Sequence, residues 1–259
     1  MLFGFAFSHR PFFIMQVIYG IHPVLETLRS EAGDIRKIVL AEGRRGADVK
    51  RILDLAAARG IAVDVRRRED LDRRAGTDAH QGVLCICGEF VYATLDEIVA
   101  NRHPAFPGSL VLLLDGIEDP RNLGSLIRSA HCFGANGVVI PRDRAAGVTP
   151  AVLKASAGSA GHLPVARVVN LTQAIEFLKE KGFWIYGADA AADTDLGSAR
   201  FEGDIGLVMG SEGRGIRPLV RRHCDVLLSI PLFGKVDSLN VSVAAGILLH
   251  EIRRQSPPR

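Results

Sequence analysis

Cysteine is scarce: Cys85, Cys87, Cys132 and Cys224 are the only four in 259 residues. No two of them form Cys-x-x-Cys or repeat a spacing, which removes the patterns of structural zinc sites and disulfide frameworks. The chain is expected to need no metal and to work in a reducing compartment, the cytoplasm. Cys85 and Cys87 alternate, so on a strand they share one face and serve as small apolar side chains. Charge of one sign is scarce too. Lysine plus arginine number 32 against 29 acids, a formal +3, which permits binding to a polyanion but supplies no basic tail to establish it. No apolar run reaches the ~20 residues of a membrane span. The nearest, Val241–Ile252, runs into His250, Glu251, Arg253 and Arg254. The apolar start is interrupted by His9 and Arg10 and lacks a small-residue cleavage motif, against a signal peptide. Met15 directly precedes Gln-Val-Ile-Tyr-Gly, so residues 1–16 read as an extension, with translation starting at Met1 or Met15.

What is present alternates. Pro23–Ser30 reads as helix, Ile35–Leu40 as strand, Asp48–Arg59 as amphipathic helix, and Ile61–Val65 and Gln81–Ile86 as strands on either side of a charged loop holding Arg66, Arg67, Arg68, Arg73 and Arg74. This makes a small α/β unit over 17–88. Residues 89–107 carry one short helix, Leu95–Ala100, and a proline- and glycine-punctuated linker. From 108 to 259, apolar runs at Leu110–Leu114, Gly137–Ile140, Phe183–Ala188, Ile205–Met209 and Val226–Ile230 alternate with helical stretches, the pattern of a parallel sheet. The closing helix is apolar nearly all round through Val243, Ala244, Ala245, Ile247, Leu248 and Leu249. It is expected to thread the core or to be shared with a second subunit.

Three segments place polar groups directly after a buried strand, where open α/β sheets build their sites. In Asp115–Ala130 a loop turns at Asp119-Pro120 into a helix with Asn122 as its N-cap candidate. Leu123, Leu126, Ile127 and Ala130 form the apolar stripe, and Arg128 projects from the other side. In Gly206–Arg217 a strand runs into a glycine-rich turn carrying Glu212. Its glycines do not follow Gly-x-Gly-x-x-Gly, which disfavours a nicotinamide-dependent oxidoreductase. In Leu228–Gly246 a strand ends at Pro231 and a polar loop leads into the last helix, with Ser238 or Asn240 as its cap. The free N–H donors at that helix start suit a cofactor's polar edge.

In order and in placement, these segments resemble the three signature motifs of the SpoU family of RNA ribose methyltransferases. The similarity runs from about Leu110 to Arg254 and includes Ile140-Pro-Arg-Asp-Arg and Lys154-Ala-Ser-Ala-Gly-Ser-Ala. Upstream, Ile18-Tyr-Gly-Ile-His-Pro-Val and His80-Gln-Gly-Val look like the substrate-binding domain that some members carry. Members that methylate a guanosine of large-subunit ribosomal RNA are the most similar.

The resemblance implies an α/β SPOUT methyltransferase domain, a parallel sheet with a C-terminal trefoil knot, preceded by a small α/β RNA-binding domain. It implies S-adenosylmethionine held by Gly210, Ile230 and Leu239, structured RNA as substrate, and a homodimer. Arg128 takes the role at the attacking hydroxyl, with Asn122, Glu212, Ser238 and Asn240 organising the site. Arginine as a residue type stays protonated at neutral pH, so hydrogen bonding to a developing alkoxide suits it better than proton abstraction. Glu212 is expected to orient its guanidinium as a bidentate pair. Two further readings remain open from the sequence: a ribose methyltransferase acting on transfer RNA, and a catalytically silent RNA-binding factor in ribosome assembly.

Overall fold

A computed structural model describes residues 16–29, 35–88 and 90–256; the two candidate start methionines lie outside them. The described chain forms two compact units that meet in sequence between Phe90 and Val91.

The first unit runs β1 (Gln16–Tyr19), α1 (Ile21–Arg29), β2 (Ile35–Ala41), α2 (Ala47–Ala58), β3 (Ala62–Arg66), α3 (Arg68–Ala75) and β4 (Val83–Cys87). Its sheet has the order β1-β4-β2-β3, with only β2 and β3 parallel. Helices α1 and α2 cover one face, where Val24, Leu28 and Ile52 pack against Ile18, Ile38, Cys85 and Cys87. The two thiols do share that apolar face. Their contact at 3.5 Å and their burial push Cys85 up from its ordinary pKa, so it stays a neutral small side chain.

The arginine-rich stretch is a correction to the sequence reading, because it is not a loop. Arg66 ends β3 and α3 begins at Arg68. Glu69 and Asp70 occupy the first turn and Arg73 and Arg74 the last, the order that complements the helix dipole. Leu71 anchors the helix on the second face of the sheet against Val39, Leu84 and Ile86, and Gly76 ends it in the left-handed conformation at φ 66°.

The second unit runs α4 (Leu95–Ala100), β5 (Leu110–Asp115), α5 (Pro120–Cys132), β6 (Gly137–Pro141), α6 (Pro150–Ala155), β7 (Val165–Val168), α7 (Leu171–Glu180), β8 (Phe183–Ala188), β9 (Thr194–Asp195), β10 (Asp204–Gly210), α8 (Pro218–His223), β11 (Val226–Ser229) and α9 (Val241–Gln255). Its seven strands pair throughout in parallel, in the order β7-β6-β5-β10-β8-β11-β9. Both faces are covered, which is why β5 is apolar from Leu110 to Leu114 before it ends on Asp115. Val111, Leu113, Ile185 and Val208 meet α4, α7 and α8. By the two-residue alternation of a strand, Leu112 and Leu207 face the other layer, where α5 packs between α6 and α9. Residues 91–107, read from sequence as linker, are packed into this unit. Ile98 is fully buried in its core, and the Ala93 N–H donates to Val165 O.

Helices α5 and α9 are pinned together at their C-terminal ends. Buried Arg253 donates from Nε to Phe133 O at 2.8 Å, from Nη2 to Gly134 O at 2.7 Å and from Nη1 to Gly108 O at 3.3 Å. Its guanidinium lies 3.8 Å from the centre of the Phe106 ring. Desolvation lowers its pKa to about 10, and three main-chain carbonyls at the end of α5 and beside it stand in for a carboxylate. With these ends fixed, the N-termini of both helices are brought together at the C-terminal edge of the sheet.

Candidate active site

Three strands end at this edge in polar loops. After β5 the N-cap is Asp119, whose carboxylate accepts from Arg121 N at 2.8 Å, with Pro120 in the first turn. Asn122, expected as the cap, is therefore free of that task. It lies one turn inside α5, where its side chain faces the start of α9. After β11 the cap of α9 is Asn240, whose Oδ1 accepts from Ser242 N at 2.9 Å.

The two asparagines meet Glu212. Asn240 Nδ2 donates to Glu212 Oε1 at 2.6 Å and to Asn122 Oδ1 at 3.0 Å, and Val241 N–H also reaches Glu212 Oε1 at 3.3 Å. A carboxylate at a helix N-terminus with a neutral amide donor is held without an ion pair. Glu212 Oε2 and the second lone pairs of the amides stay open to solvent or substrate. Ser242 adjoins the cluster through contacts of 3.4–3.5 Å to Asn122. The sequence reading missed this residue, although its place two after a capping asparagine is a signal that could have found it.

Two cavities meet at Glu212, with Asn240 lining the first and Asn122 the second. The larger, about 550 Å³, is lined by Gly210, Leu228, Ile230, Ser238, Leu239 and Asn240 among others, within the ~300–1,000 Å³ usual for small-molecule sites. Loop residues 230–239 make no main-chain hydrogen bond to other described residues, so Ile230, Leu232, Ser238 and Leu239 bring unpaired main-chain groups to a hollow that Asp189, Glu212 and Asp237 also line. That donor and acceptor set fits a nucleoside-like cofactor. The smaller cavity, about 230 Å³, is lined by Gly116, Glu118, Asp119, Asn122, Glu212 and Arg214.

The turn carrying Glu212 is clamped by a residue to which no role had been given. Asp115, whose side chain is fully buried, accepts from Arg217 N at 2.7 Å and from its Nε at 2.6 Å. Asp115 is also in register with Gly210, so one carboxylate sits beside the start of the 211–216 turn and binds its end. Between these ends Ser211 and Gly215 exchange main-chain hydrogen bonds. A Cβ on Gly210 would stand 2.1 Å from Gly215 C, which explains why this position is glycine.

The candidate residues are thus only partly assembled within one chain. Asn122, Glu212 and Asn240 meet, while Gly210, Ile230 and Leu239 line the cavity with Ser238, which makes no hydrogen bond among the described residues. Arg128 is exposed and has no hydrogen-bonding or ionic partner among the described residues, and it lines neither cavity. The expected Arg128–Glu212 pair is therefore not present within the chain. Arg128 stands six residues, or ~9 Å along the axis, from Asn122, and Glu212 is engaged by α9. Among the described residues no helix is long and apolar enough to cross a membrane, and no three His, Cys, Asp or Glu side chains form a metal-holding group.

Sequence comparison places this geometry in a class. Residues 109–250 match the SpoU rRNA methylase family, and residues 17–93 match the substrate-binding domain of RNA 2′-O-ribose methyltransferases. The chain belongs to the SpoU family and is an RNA 2′-O-ribose methyltransferase, a class that uses S-adenosylmethionine. It is 41% identical over 241 residues to the TrmH-family protein YacO of Bacillus subtilis, covering 93% of this chain and 96% of that one. It is 40% identical to the 23S rRNA (guanosine-2′-O-)-methyltransferase RlmB of Coxiella burnetii, covering 92% and 95%. Among solved structures, the SpoU methyltransferase AviRb of Streptomyces viridochromogenes in complex with AdoMet superposes with a TM-score of 0.70 at 26% identity, covering 93% and 90%.

Proposed function

We propose that this chain methylates the ribose 2′-hydroxyl of a guanosine in 23S ribosomal RNA, in the cytoplasm and as a homodimer. The observation that carries the reading is the Asn122–Glu212–Asn240 cluster, whose Glu212 lines two cavities, with Asn240 on one and Asn122 on the other. One cavity suits a cofactor and the other an incoming nucleotide. The first unit, through Phe90, would hold RNA and the second, from Val91 onward, would transfer the methyl group. The order β5-β10-β8-β11 and the return of α9 onto α5 support the C-terminal trefoil knot expected for this class.

Gly210, Ile230, Leu239 and the open main chain of the 230–239 loop would hold S-adenosylmethionine, which supplies an already activated methyl group when bound. The chain's own residues then position the ribose. Glu212, fixed by Asn240 and the Val241 N–H, offers a free carboxylate oxygen at the rim, and Asn122 borders the nucleotide cavity. Arg128 stabilises negative charge as it develops on the 2′-oxygen. Ribose-methylation mapping of RNA from a deletion strain tests the reading. One 23S guanosine should lose its methyl group and regain it with the wild-type gene. Loss confined to transfer RNA would move the substrate, and no loss at all would leave only an RNA-binding scaffold.

Gly210→Ala should weaken S-adenosylmethionine binding about tenfold or more by titration calorimetry. The added methyl meets backbone, and overpacking of ~1–3 kcal/mol must displace the turn that lines the cavity.

The dimer is supported by Val243 and Ile247, four residues apart on α9 and 52% and 38% exposed. Light scattering at micromolar concentration should give twice the chain mass, and Val243→Lys with Ile247→Lys should give a monomer. A second copy would also bring a partner's Arg128 to the cluster. Mixing inactive Arg128→Ala and Asn240→Ala chains should then restore about a quarter of wild-type activity, since half the random pairs are mixed and each mixed pair has one complete site. No recovery would place Arg128 in its own chain's site.

A further inference from the structure

The strand register of the first unit collects four chain ends on one side. Tyr19 of β1 pairs with Leu84, Val83 with Leu40, and Ala41 with Arg66. The end of β1, the start of β4 and the ends of β2 and β3 therefore lie in a row about 14 Å wide, at ~4.8 Å per strand. Hydrogen bonds lock the loops that leave this row: Gly20 N to Val83 O, Ala41 N to Gly82 O, and Glu42 N to Arg66 O, at 3.1, 2.9 and 2.8 Å.

Two side chains make the row rigid. Gln81 sits at φ 56°, a left-handed conformation uncommon for a residue with a side chain, and its Oε1 accepts from Ile21 N at 3.0 Å. Fully buried His80 accepts from Gly82 N–H at Nδ1, at 2.9 Å, which leaves Nε2 to donate to Asp72 Oδ1 at 2.7 Å. Strain held in place by a buried network marks a surface whose shape is fixed in advance.

That surface carries Arg44, Arg45, Arg66, Arg67 and Arg68, all exposed, against the acids Glu42, Glu69 and Asp78. Arg66 leans on Asp64, and Arg68 donates to the Asp78 carbonyl. Arg44, Arg45 and Arg67 have no ionic partner among the described residues. Elsewhere on the unit Arg51 pairs with Asp48 and Arg73 with Asp70. The Arg44 stem packs over Gly82, where an added Cβ would come within 3.2 Å of its Cδ. At the β1 end of the row Tyr19 is 42% exposed.

We propose that this strand-end row is the RNA-docking surface of the first unit, taking the phosphates of an unpaired loop on Arg44 and Arg67 and stacking one base on Tyr19. The inference rests on the methyltransferase reading and deepens it. Guanidinium groups along a row that ends in an exposed aromatic residue suit unstacked nucleotides, because a duplex keeps its bases from such a ring.

Filter binding of the full-length chain to a protein-free 23S ribosomal RNA transcript, across a salt series, tests it. Arg44→Ala with Arg67→Ala should weaken binding about tenfold and reduce the slope of log K against log salt by about 1.4–1.8, at ~0.7–0.9 per lost phosphate contact. Arg51→Ala should change neither. Tyr19→Ala should weaken binding about fivefold or more while Tyr19→Phe matches wild type. In all four, S-adenosylmethionine affinity and kcat should hold while KM for RNA follows the binding. A double variant indistinguishable from Arg51→Ala, in a wild-type background that methylates the transcript, overturns the surface. A wild-type chain that neither binds nor methylates the transcript overturns the functional reading itself, and the inference with it.

Discussion

Alanine at position 128 should leave the melting temperature and S-adenosylmethionine affinity unchanged while slowing methyl transfer about 10²-fold or more, the scale of one lost transition-state donor. Arg128 supports this separation because it is exposed, lies on the polar side of α5 and packs into neither cavity. Nothing in the fold of one chain depends on it. Lysine should restore little, since a single ammonium lacks the planar fork that can face a carboxylate and a ribose oxygen together. Single-turnover transfer with saturating RNA and cofactor is the measurement. Near-normal transfer by the alanine variant would return Arg128 to the ordinary solvated surface.

Arg217→Ala should have the largest effect on stability. Its partner Asp115 has no exposed side-chain surface, whereas the Arg217 side chain is 48% exposed. Removing the guanidinium leaves a buried anion with only the Arg217 N–H, while removing the carboxylate leaves a cation that water can reach. The cost should be about 2–3 kcal/mol, below the ~3–5 kcal/mol of a fully buried pair because solvent replaces part of the lost partner. In calorimetry the second unit should melt about 4–12 °C lower. Asp115→Asn, nearly isosteric and uncharged, should cost less than Arg217→Ala. The reverse order would mean that the carboxylate's bond to the Arg217 N–H holds the turn, and that leaving its buried charge unpaired matters less.

Much of this architecture was legible in the residues. Long apolar strands followed by polar loops located β5 and β10 and the loops that leave them, because burial on both sheet faces leaves an unbroken apolar run that any polar residue ends visibly. Other features were hidden for identifiable reasons. Strand β7 is hidden because exposed Arg167 interrupts its four residues, and β9, of 2 residues, is too short for periodicity to register. The charged stretch after Arg66 read as a loop because Leu71 is the one buried side chain of α3. Asp119 and Asn122 are both good caps, and only the observed bond to Arg121 N decides between them. Nothing in the sequence marks Arg217, because its carboxylate lies 102 residues away, a distance over which local pattern carries no information.

Strand β10 lies between β5 and β8, so the middle of the second sheet joins segments made far apart in time. The Ser109 N–H bond to Asp204 spans 95 residues, and the Asn240 bond to Asn122 spans 118. At roughly 5–20 residues per second of synthesis, β5 emerges some 5–20 s before its central neighbour exists. During that interval its apolar edge is an open template for wrong pairing. High contact order of this kind makes spontaneous folding slow, and the Asn122–Glu212–Asn240 cluster closes only after α9 has been made. A nascent or truncated chain should therefore be aggregation-prone and inert, with cofactor binding arriving as one of the last events of folding.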